Sequence, residues 1–404
     1  RSLMTTITWL FDRRNKHGFL PNLIKDETLV PGSSEWWDLC ITKPYAYEFR
    51  FLRYCMLDKI PQRAALVSDI WEGPAYYPIN LNYYDTSIDY FSYMDIASLT
   101  MLKQGRLKVL FYYSEGDDPL LGVLDSLVTM CKAHNVDLDN VKFTTANGLI
   151  GDEHPFVYFP DDELYYRYLH AFNSNFVKQV NLESRDKLFT CLNRMDKVWR
   201  KVFCSTMHSL NLFDDSYFSY TGSTYDMPSE DTETIEEWLP LDDDLKSNIA
   251  AFDLQAPYYC DDLSDADRNN HKLINTDFYT NAYWNIVVET HFKQQTIFLT
   301  EKTFKPILNM QPFILVGNPY SIKMLKQLGY KTFGDFISED YDEIVNPTDR
   351  MRELLTVFYS IASRSDKDQK NMIELMKEIL EYNQSHFLKP KTQRIKNYLN
   401  KLEY

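Results

Sequence analysis

Short apolar runs bounded by turn-forming residues mark the first half of the chain. Four of these runs have the length and composition of strands, and they are "AALVSDI" (64–70), "RLKVLFYYS" (106–114), "NVKFTTAN" (140–147) and "PFVYFP" (155–160). Between the second and third runs, apolar residues of "LLGVLDSLVTMCKAHNVD" recur at helical spacing. The succession of strand, helix and strand predicts a parallel α/β layer.

A second alternating series follows a polar stretch. "NLESRDKLFTCLNR" (181–194) ends in a new strand, and "KVWRKVFCSTMHSLNLF" (197–213) places apolar residues on one side of a helix. A further helix is predicted at about 275–290, and two or three helices in the tail from about 349 to 404. We therefore predict an α/β protein with an N-terminal domain at 4–183, a second α/β domain at 184–345 and a helical segment at 346–404. Whether that segment returns to the N-terminal domain stays open.

The stretch "TIFLTEKTFKPILNMQPFILVG" (296–317) predicts a strand, a helix and a second strand. "TIFL" is apolar and β-branched, as a buried strand would be, and "PFILVG" has the same character. Thr300 or Thr303 can cap the first helix. Proline is best tolerated in the first turn of a helix, so Pro306 favours Thr303 and leaves Glu301 and Lys302 in the strand-to-helix turn. Ser321 is expected to cap the next helix, and Gly329 to end it.

Glu301 and Lys302 are two charges in this otherwise apolar stretch, and a buried charge is costly without a partner. Ligands bind beyond the carboxyl ends of the strands in a doubly wound sheet, where a helix N-terminus offers N–H groups to an anion. Lys302 would add a cation for a phosphate there, and Glu301 could accept two hydrogen bonds from a ribose diol. The alternative is an ion pair at the surface of a helix start.

The composition limits the classes of function. A chain of 404 residues with 44% hydrophobic content exceeds the usual size of one core, which favours two domains. The formal charge of −15 argues against a broad electrostatic grip on nucleic acid, although a local basic groove remains compatible with it. Six scattered cysteines lack zinc spacing, and no run approaches the ~20 apolar residues of a membrane span. Without a signal-peptide pattern at the N-terminus, we expect a cytoplasmic protein.

Two stretches resemble a known family. "FLTEKTFKPI" (298–307) with "QPFILVGNPYSIKMLKQLGYKTF" (311–333) resembles the nucleotide-sugar motif of fucosyltransferase-like glycosyltransferases, in which a strand ends in Thr-Glu-Lys and the next strand carries proline, an apolar run and glycine. "FTCLNRMDKVWRKVFCSTMHSLNLFDDSYFSY" (189–220) is similar as well. The likeness is greatest to uncharacterised glycosyltransferases of tailed phages, and it covers about residues 186–345.

The resemblance implies two facing Rossmann-like domains of the GT-B type, with the donor nucleotide in the C-terminal one. It implies that Lys302 and Arg194 contact the diphosphate, that Glu301 contacts the ribose, and that Arg200 or Lys197 is a second cation. The motif also brings its two threonines, Thr300 and Thr303, to the donor.

The family reading leaves some identities open. The alternative for the cluster from Arg194 to Lys201 is a solvated helix face, which Lys197 and Lys201 favour most. The implied co-substrate is a UDP- or GDP-sugar, with no other cofactor.

An inverting transfer needs a general base, which a carboxylate at a strand end can provide. "FYYSEGDDP" places Glu115 and Asp117 just past a strong strand, with an ordinary turn carboxylate as the alternative. The rival location is "GDEHP" (151–155), which contributes Asp152, Glu153 and His154. The acidic residues 242–244 lie in a charge run at 226–244 that predicts a solvated loop, so we expect no metal site and metal-independent turnover.

The phage-type resemblance raises hydroxymethylated pyrimidines in DNA as the acceptor, with a glycan or lipopolysaccharide as the alternative. "LKPKTQRIKNYLNK" (388–401) contains no acid, so Lys391, Arg394 and Lys396 are the predicted acceptor-binding cations, unless the tail is an ordinary solvated helix. A phage enzyme would act in the cytoplasm of the infected bacterium. A different class of function is a non-catalytic nucleotide-binding or virion-associated protein that keeps the fold.

Overall fold

The computed structural model divides the chain into two compact units. It describes residues 6–12, 33–37, 50–66, 75–81, 84–116, 122–151, 153–171, 175–223, 234–241, 243–262, 274–293 and 295–402. The first unit comprises the residues up to Leu169 together with those from Pro390 onward, and the second runs from His170 to Lys389. The division therefore precedes the 183/184 boundary drawn from the sequence. The reason is that the backbone of Val177 is hydrogen-bonded within the second unit, to the side chains of Asn309 and Gln384.

The first unit alternates strands and helices. Its strands are β1 (Ile7–Phe11), β2 (Gln62–Leu66), β3 (Tyr76–Leu81), β4 (Lys108–Tyr113), β5 (Val141–Thr145) and β6 (Phe156–Tyr158). Its helices are α1 (Phe51–Leu57), α2 (Ile96–Lys103), α3 (Val123–His134), α4 (Asp161–Ala171) and, from the end of the chain, α12 (Thr392–Lys401). The last two residues of α4, from His170, belong to the second unit. The four strands predicted for this half are confirmed within the described residues, which do not include 67–70 of the first prediction, whereas β1 and β3 were not predicted.

The sheet of the first unit is parallel throughout, in the order β2-β1-β3-β4-β5-β6. Successive side chains of a strand point to opposite faces, so Leu110 packs with α1, α4 and α12 while Phe111 packs with α2 and α3. Covering both faces explains why the strands are apolar runs instead of alternating ones. The winding reverses between β1 and β3, which makes that edge the topological switch point of the unit.

The second unit contains a smaller parallel sheet and a helical end. Its strands are β7 (Lys187–Met195), β8 (Ser216–Ser223), β9 (Ala282–Val288) and β10 (Phe313–Val316). Its helices are α5 (Val198–Ser209), α6 (Leu245–Asp253), α7 (Asp277–Thr280), α8 (Glu301–Leu308), α9 (Ser321–Gln327), α10 (Pro347–Ala362) and α11 (Asp366–Leu388). The two parallel sheets confirm the predicted α/β class. The described residues of the tail form α10, α11 and α12, which is the larger of the two predicted numbers of helices.

Strand order in the second sheet repeats the winding of the first. The order β10-β9-β7-β8 means that the chain moves outward from β7 to β8 and then returns to place β9 on the other side of β7. All pairs are parallel. The switch point consequently lies between the carboxyl ends of β7 and β9, where side chains from two strand ends and their following helices converge.

Two predicted elements of the second unit are wrong. The stretch predicted as a helix at 275–290 contains β9, because "AYWNIVV" is aromatic and β-branched and fits the buried centre of the sheet. "TIFL" is buried yet unpaired with any strand, since β10 occupies the position beside β9. Its apolar character reflects burial on the way from β9 to α8.

The residues that cap the starts of α8 and α9 also differ from the predicted ones. Thr300 caps α8 in place of Thr303, with its hydroxyl accepting the Lys302 N–H at 3.3 Å. At the start of α9 it is the Asp342 carboxylate that accepts the N–H groups of Ile322 (2.8 Å) and Lys323 (2.9 Å) in place of Ser321.

The end of α9 matches the prediction. Gly329 has φ +93°, which favours glycine and terminates the helix.

Within the described ranges, no helix combines the length and the apolar character that crossing a bilayer requires.

Candidate functional site

The switch point of the second unit gathers most of the residues predicted to bind a donor. The β7 end supplies residues 194–197, the β9 end supplies Glu289 and Thr290, and α8 begins beside them with Glu301 and Lys302. The register of β7 against β8 shifts between Asn193 and Met195, so Arg194 sits at an irregularity of the strand. Such bulges are common beside binding sites because they redirect a side chain.

Two lysines converge on Thr290. The Lys302 ammonium donates to the Thr290 hydroxyl at 3.0 Å and to the Thr300 hydroxyl at 3.2 Å. From the other strand, the Lys197 ammonium donates to the Thr290 carbonyl at 3.1 Å. Lys197 therefore belongs to the switch point and does not lie on a solvated helix face. Two positive charges held against one residue favour an anion between them.

Lys201 is engaged away from this pair. Its ammonium lies 3.3 Å from the carboxylates of both Asp196 and Asp253. Asp196 also accepts the Tyr220 hydroxyl at 2.7 Å, which ties the β7 end to β8. These contacts give Lys201 a role in holding α5 and α6 beside the sheet.

Arg200 clamps the two strand ends instead of facing a ligand. It is 3% exposed, and its guanidinium donates to the carbonyls of Met195 (3.3 Å) and Glu289 (2.9 Å). Burial lowers the pKa of Arg200, and the nearby positive charge of Arg194 lowers it further. The predicted second cation is thus buried backbone support for the switch point, while Arg194 is half-exposed at its edge.

Glu289 was missed by the sequence reading, and it joins β9 to α8. Its carboxylate is 1% exposed and accepts the Thr300 N–H at 3.0 Å, the Thr300 hydroxyl at 2.6 Å and the Thr303 hydroxyl at 2.6 Å. Thr300 and Thr303 are therefore buried supports of the helix start. A signal did exist, because a glutamate directly follows the apolar run "AYWNIVV".

Glu301 is half-buried in the first turn of α8 and acts electrostatically on its neighbours. Burial raises the pKa of Tyr279, and the Glu301 charge raises it further. Burial also lowers the pKa of Lys305, an effect that Glu301 opposes and Lys302 reinforces. A glutamate and a lysine thus occupy the first two positions of an eight-residue helix.

The loops after β9 and β10 are held by a buried arginine. Arg350 is 1% exposed and donates to the carbonyls of Gly317 (3.2 Å), Ile344 (2.7 Å) and Val345 (3.0 Å), and also to that of Phe292. Burial lowers the pKa of Arg350 to about 10. This network fixes the backbone that follows both strands and so stabilises one side of the switch point.

The predicted catalytic carboxylates belong to the first unit. Glu115 is half-buried after β4, and its carbonyl accepts the Ala146 N–H at 3.1 Å. Asp117 and Asp152 lie outside the described residues. At the rival location, His154 lies 3.5 Å from Asp139, and Glu153 is exposed. None of these contacts tests the role of Glu115 as the general base, which stays a prediction.

The first unit also contains a buried carboxylate that the sequence reading missed. Asp12 follows β1 at the switch point and is 2% exposed. It accepts the Tyr77 hydroxyl and the Asp95 N–H, both at 2.8 Å, together with the Ser98 hydroxyl. Burial raises the pKa of Asp12. Its partners are the neighbouring strand and the start of α2, so it anchors that helix to the sheet.

Two of the three tail cations are engaged inside the first unit. Lys391 lies 3.1 Å from Glu163, which is fully buried, and Arg394 pairs with the same carboxylate. The Lys391 N–H also donates to Asp58 at 2.5 Å. These contacts dock α12 on the first unit. Lys396 is half-exposed, and its predicted role in binding an acceptor stays a prediction.

Among the side chains that the structure describes, no group of three or more His, Cys, Asp or Glu residues forms a set of metal ligands. The expectation of metal-independent turnover stays a prediction.

Comparison with known proteins identifies no family. No family model matches the chain, and no curated protein matches it. Among solved structures, it is similar to an alpha,alpha-trehalose-phosphate synthase (UDP-forming) from Burkholderia vietnamiensis, at 11% sequence identity and a TM-score of 0.33, over 87% of this chain and 77% of that one. A likeness this weak assigns neither activity nor substrate.

Proposed function

We propose that the chain is a glycosyltransferase that takes a sugar from a nucleotide-sugar donor, whose diphosphate binds at the switch point between β7 and β9. The observation that carries the proposal is the convergence of Lys197 and Lys302 on Thr290, beside the first turn of α8. An anion there would meet two ammonium groups and the positive end of a helix dipole. Arg194 stands at the edge of the same site and would meet the second phosphate.

The neighbouring carboxylate supports a nucleotide over a simple phosphate. Glu301 is adjacent to Lys302 and is half-exposed, so a ribose diol could donate two hydrogen bonds to it while the diphosphate contacts the lysine. A simple phosphate has no diol and would leave this carboxylate without a hydrogen-bond donor. The carboxylate and the cation thus fit a ligand that carries a diol and a diphosphate in one molecule.

The sugar-transfer part of the proposal rests on the Thr-Glu-Lys motif at 300–302 and its resemblance to fucosyltransferase-like and phage glycosyltransferases. Two α/β units with the same initial winding are compatible with that family. In the reaction, the cations would stabilise the leaving diphosphate, which is where negative charge develops. Glu115 would be the base that takes the proton of the acceptor hydroxyl.

Hydroxymethylated pyrimidines in DNA are the acceptor that we propose, on the phage-type resemblance. Lys391 and Arg394 are engaged in ion pairs with Glu163, so they are less available to bind the phosphate backbone of DNA. The backbone would therefore have to be held by other residues. A glycan or lipopolysaccharide is the competing acceptor. Transfer to hydroxymethylcytosine or hydroxymethyluracil DNA, and not to glycans, is the result that the DNA assignment requires.

The test of the proposal is incubation with a panel of nucleotide sugars, followed by mass spectrometry of the released nucleotide and of the digested acceptor. Release of UDP or GDP with a sugar added to one acceptor supports a transferase. Nucleotide binding without release or transfer indicates the non-catalytic class. An absence of binding by every member of the panel contradicts the proposal.

A further inference from the structure

Glu289 is not part of the Thr-Glu-Lys motif, yet its carboxylate accepts hydrogen bonds from both threonines at the start of α8, Thr300 and Thr303. We propose that Glu289 is a positioning residue that holds the first turn of α8 on the end of β9 and thereby aims Lys302 at the donor. The inference deepens the proposed function and rests on it for the identity of the ligand. The positioning itself can be tested without any ligand.

The geometry uses both carboxylate oxygens. One oxygen of Glu289 accepts the Thr300 N–H and the Thr303 hydroxyl, at 3.0 and 2.6 Å, and the other accepts the Thr300 hydroxyl at 2.6 Å. Thr300 and Thr303 lie on either side of Lys302 in the sequence. The carboxylate therefore fixes the backbone before and after the lysine.

The hydrogen bonds of Thr300 give the carboxylate a direct link to the lysine. A hydroxyl has one proton to donate and two lone pairs. Thr300 donates its proton to Glu289, and it accepts from the Lys302 N–H at 3.3 Å and from the Lys302 ammonium at 3.2 Å. All its hydrogen-bonding capacity is used, so Glu289 determines the orientation in which Thr300 can receive the lysine.

An amide cannot replace this carboxylate. An ionised glutamate only accepts hydrogen bonds, whereas glutamine presents an NH₂ group on one side. In Glu289→Gln, that NH₂ would face either the Thr300 hydroxyl or the pair of donors on the other oxygen. If the NH₂ group faced Thr300, the hydroxyl would have to accept from it and would lose one of the lone pairs that accept from Lys302. If the NH₂ group faced the other side, it could not accept from the Thr300 N–H or the Thr303 hydroxyl, and the hydrogen bond to Thr303 would be lost.

The ligand-independent test is hydrogen exchange of the nucleotide-free protein. We expect Glu289→Gln to accelerate exchange in the peptide 296–304, because the start of α8 loses its anchor. Thr303→Val should produce a smaller acceleration in the same peptide, and Thr303→Ser, which keeps the hydroxyl, should restore protection. Unchanged exchange in Glu289→Gln would overturn the positioning role whatever the ligand.

The matched control is Glu339→Gln in the same unit. Glu339 also accepts one backbone N–H and one threonine hydroxyl, from Phe333 (2.7 Å) and Thr332 (2.8 Å), but it lies away from the switch point. We expect this variant to leave the exchange of 296–304 unchanged. If Glu289→Gln is too unstable to purify, Thr303→Val and Thr303→Ser give the same comparison.

The ligand-dependent test measures the affinity for UDP and GDP by calorimetry. We expect Glu289→Gln to weaken binding about tenfold, and to have little further effect when Lys302→Ala is already present, because it acts through the lysine. Fully additive losses, or wild-type affinity in Glu289→Gln, would contradict action through Lys302. If the wild-type chain binds neither nucleotide, the proposed function fails, whereas the exchange result still decides the positioning role.

Discussion

Replacing Lys302 with alanine should weaken the binding of a nucleoside diphosphate while leaving the chain folded. The lysine is half-buried and its ammonium donates to two hydroxyls, those of Thr290 and Thr300. An ammonium has three donors, so one remains for a phosphate oxygen without loss of the other two bonds. The variant would remove that bond and one of the two charges at Thr290.

The magnitude follows from the kind of bond and its exposure. A hydrogen bond to a charged group contributes ~1.5–3 kcal/mol, and solvent at a half-buried position favours the lower end of that range. Since ~1.4 kcal/mol corresponds to a factor of ten, the dissociation constant for UDP or GDP should rise about tenfold. The two lost hydroxyl bonds should cost about 1 kcal/mol of folding stability each, partly offset by the higher helix propensity of alanine.

Isothermal titration calorimetry with UDP and GDP measures the effect, with uridine and guanosine as ligands that lack phosphate. Lys323→Ala is the matched control, because Lys323 lies in the first turn of α9, after the neighbouring strand, and outside the switch point. We expect the control to bind like the wild type. Equal affinity of the wild type and Lys302→Ala for the diphosphate would refute the assignment of Lys302 to the phosphates.

Three other side chains give measurable expectations. Glu301→Ala should weaken UDP or GDP about tenfold but spare pyrophosphate, since it removes only the ribose contact; equal losses in competition titrations would contradict this. Burial and the Lys305 charge lower the pKa of His170 to about 4, so the folded chain binds fewer protons than the unfolded one between about pH 4 and 6.5. The free energy of unfolding in urea should therefore fall by up to about 3 kcal/mol as the pH drops through that window, and His170→Gln should flatten the dependence. Glu163→Gln strands Lys391 and Arg394 and should cost about 3–5 kcal/mol, seen as a lower Tm in calorimetry; an unchanged Tm would exclude a stabilising role for these pairs.

Local patterns in the sequence predicted the elements whose signals lie within a few residues. The strand β4, the helix α3 and the strand β5 followed from apolar runs and helical spacing, and Gly329 marked the end of α9 through its backbone conformation. The motif at 300–302 placed Glu301 and Lys302 between a strand and a helix, although the helix begins at Glu301 and not after Thr303. Such features need no knowledge of distant contacts.

Other features depend on residues far apart in the chain. Lys197 contacts Thr290 across 93 positions, and this contact decides that it is a switch-point cation instead of a solvated one. Lys391 and Glu163 are likewise distant in sequence, so the basic tail looked exposed until its buried partner was known. "TIFL" shows that apolar content reports burial, whereas strand pairing depends on which neighbour occupies the sheet position.

Hydrogen exchange with and without saturating UDP or GDP tests the proposed nucleotide site, because it locates the nucleotide on the chain. We expect slower exchange in peptides that cover the β7 end with the start of α5 (194–200) and the β9 end with the start of α8 (289–303). Peptides of the α9–α10 loop, which lie after the outer strand β10, should change less. Protection confined to regions other than the switch point, or no protection by either nucleotide, would contradict a donor site between β7 and β9.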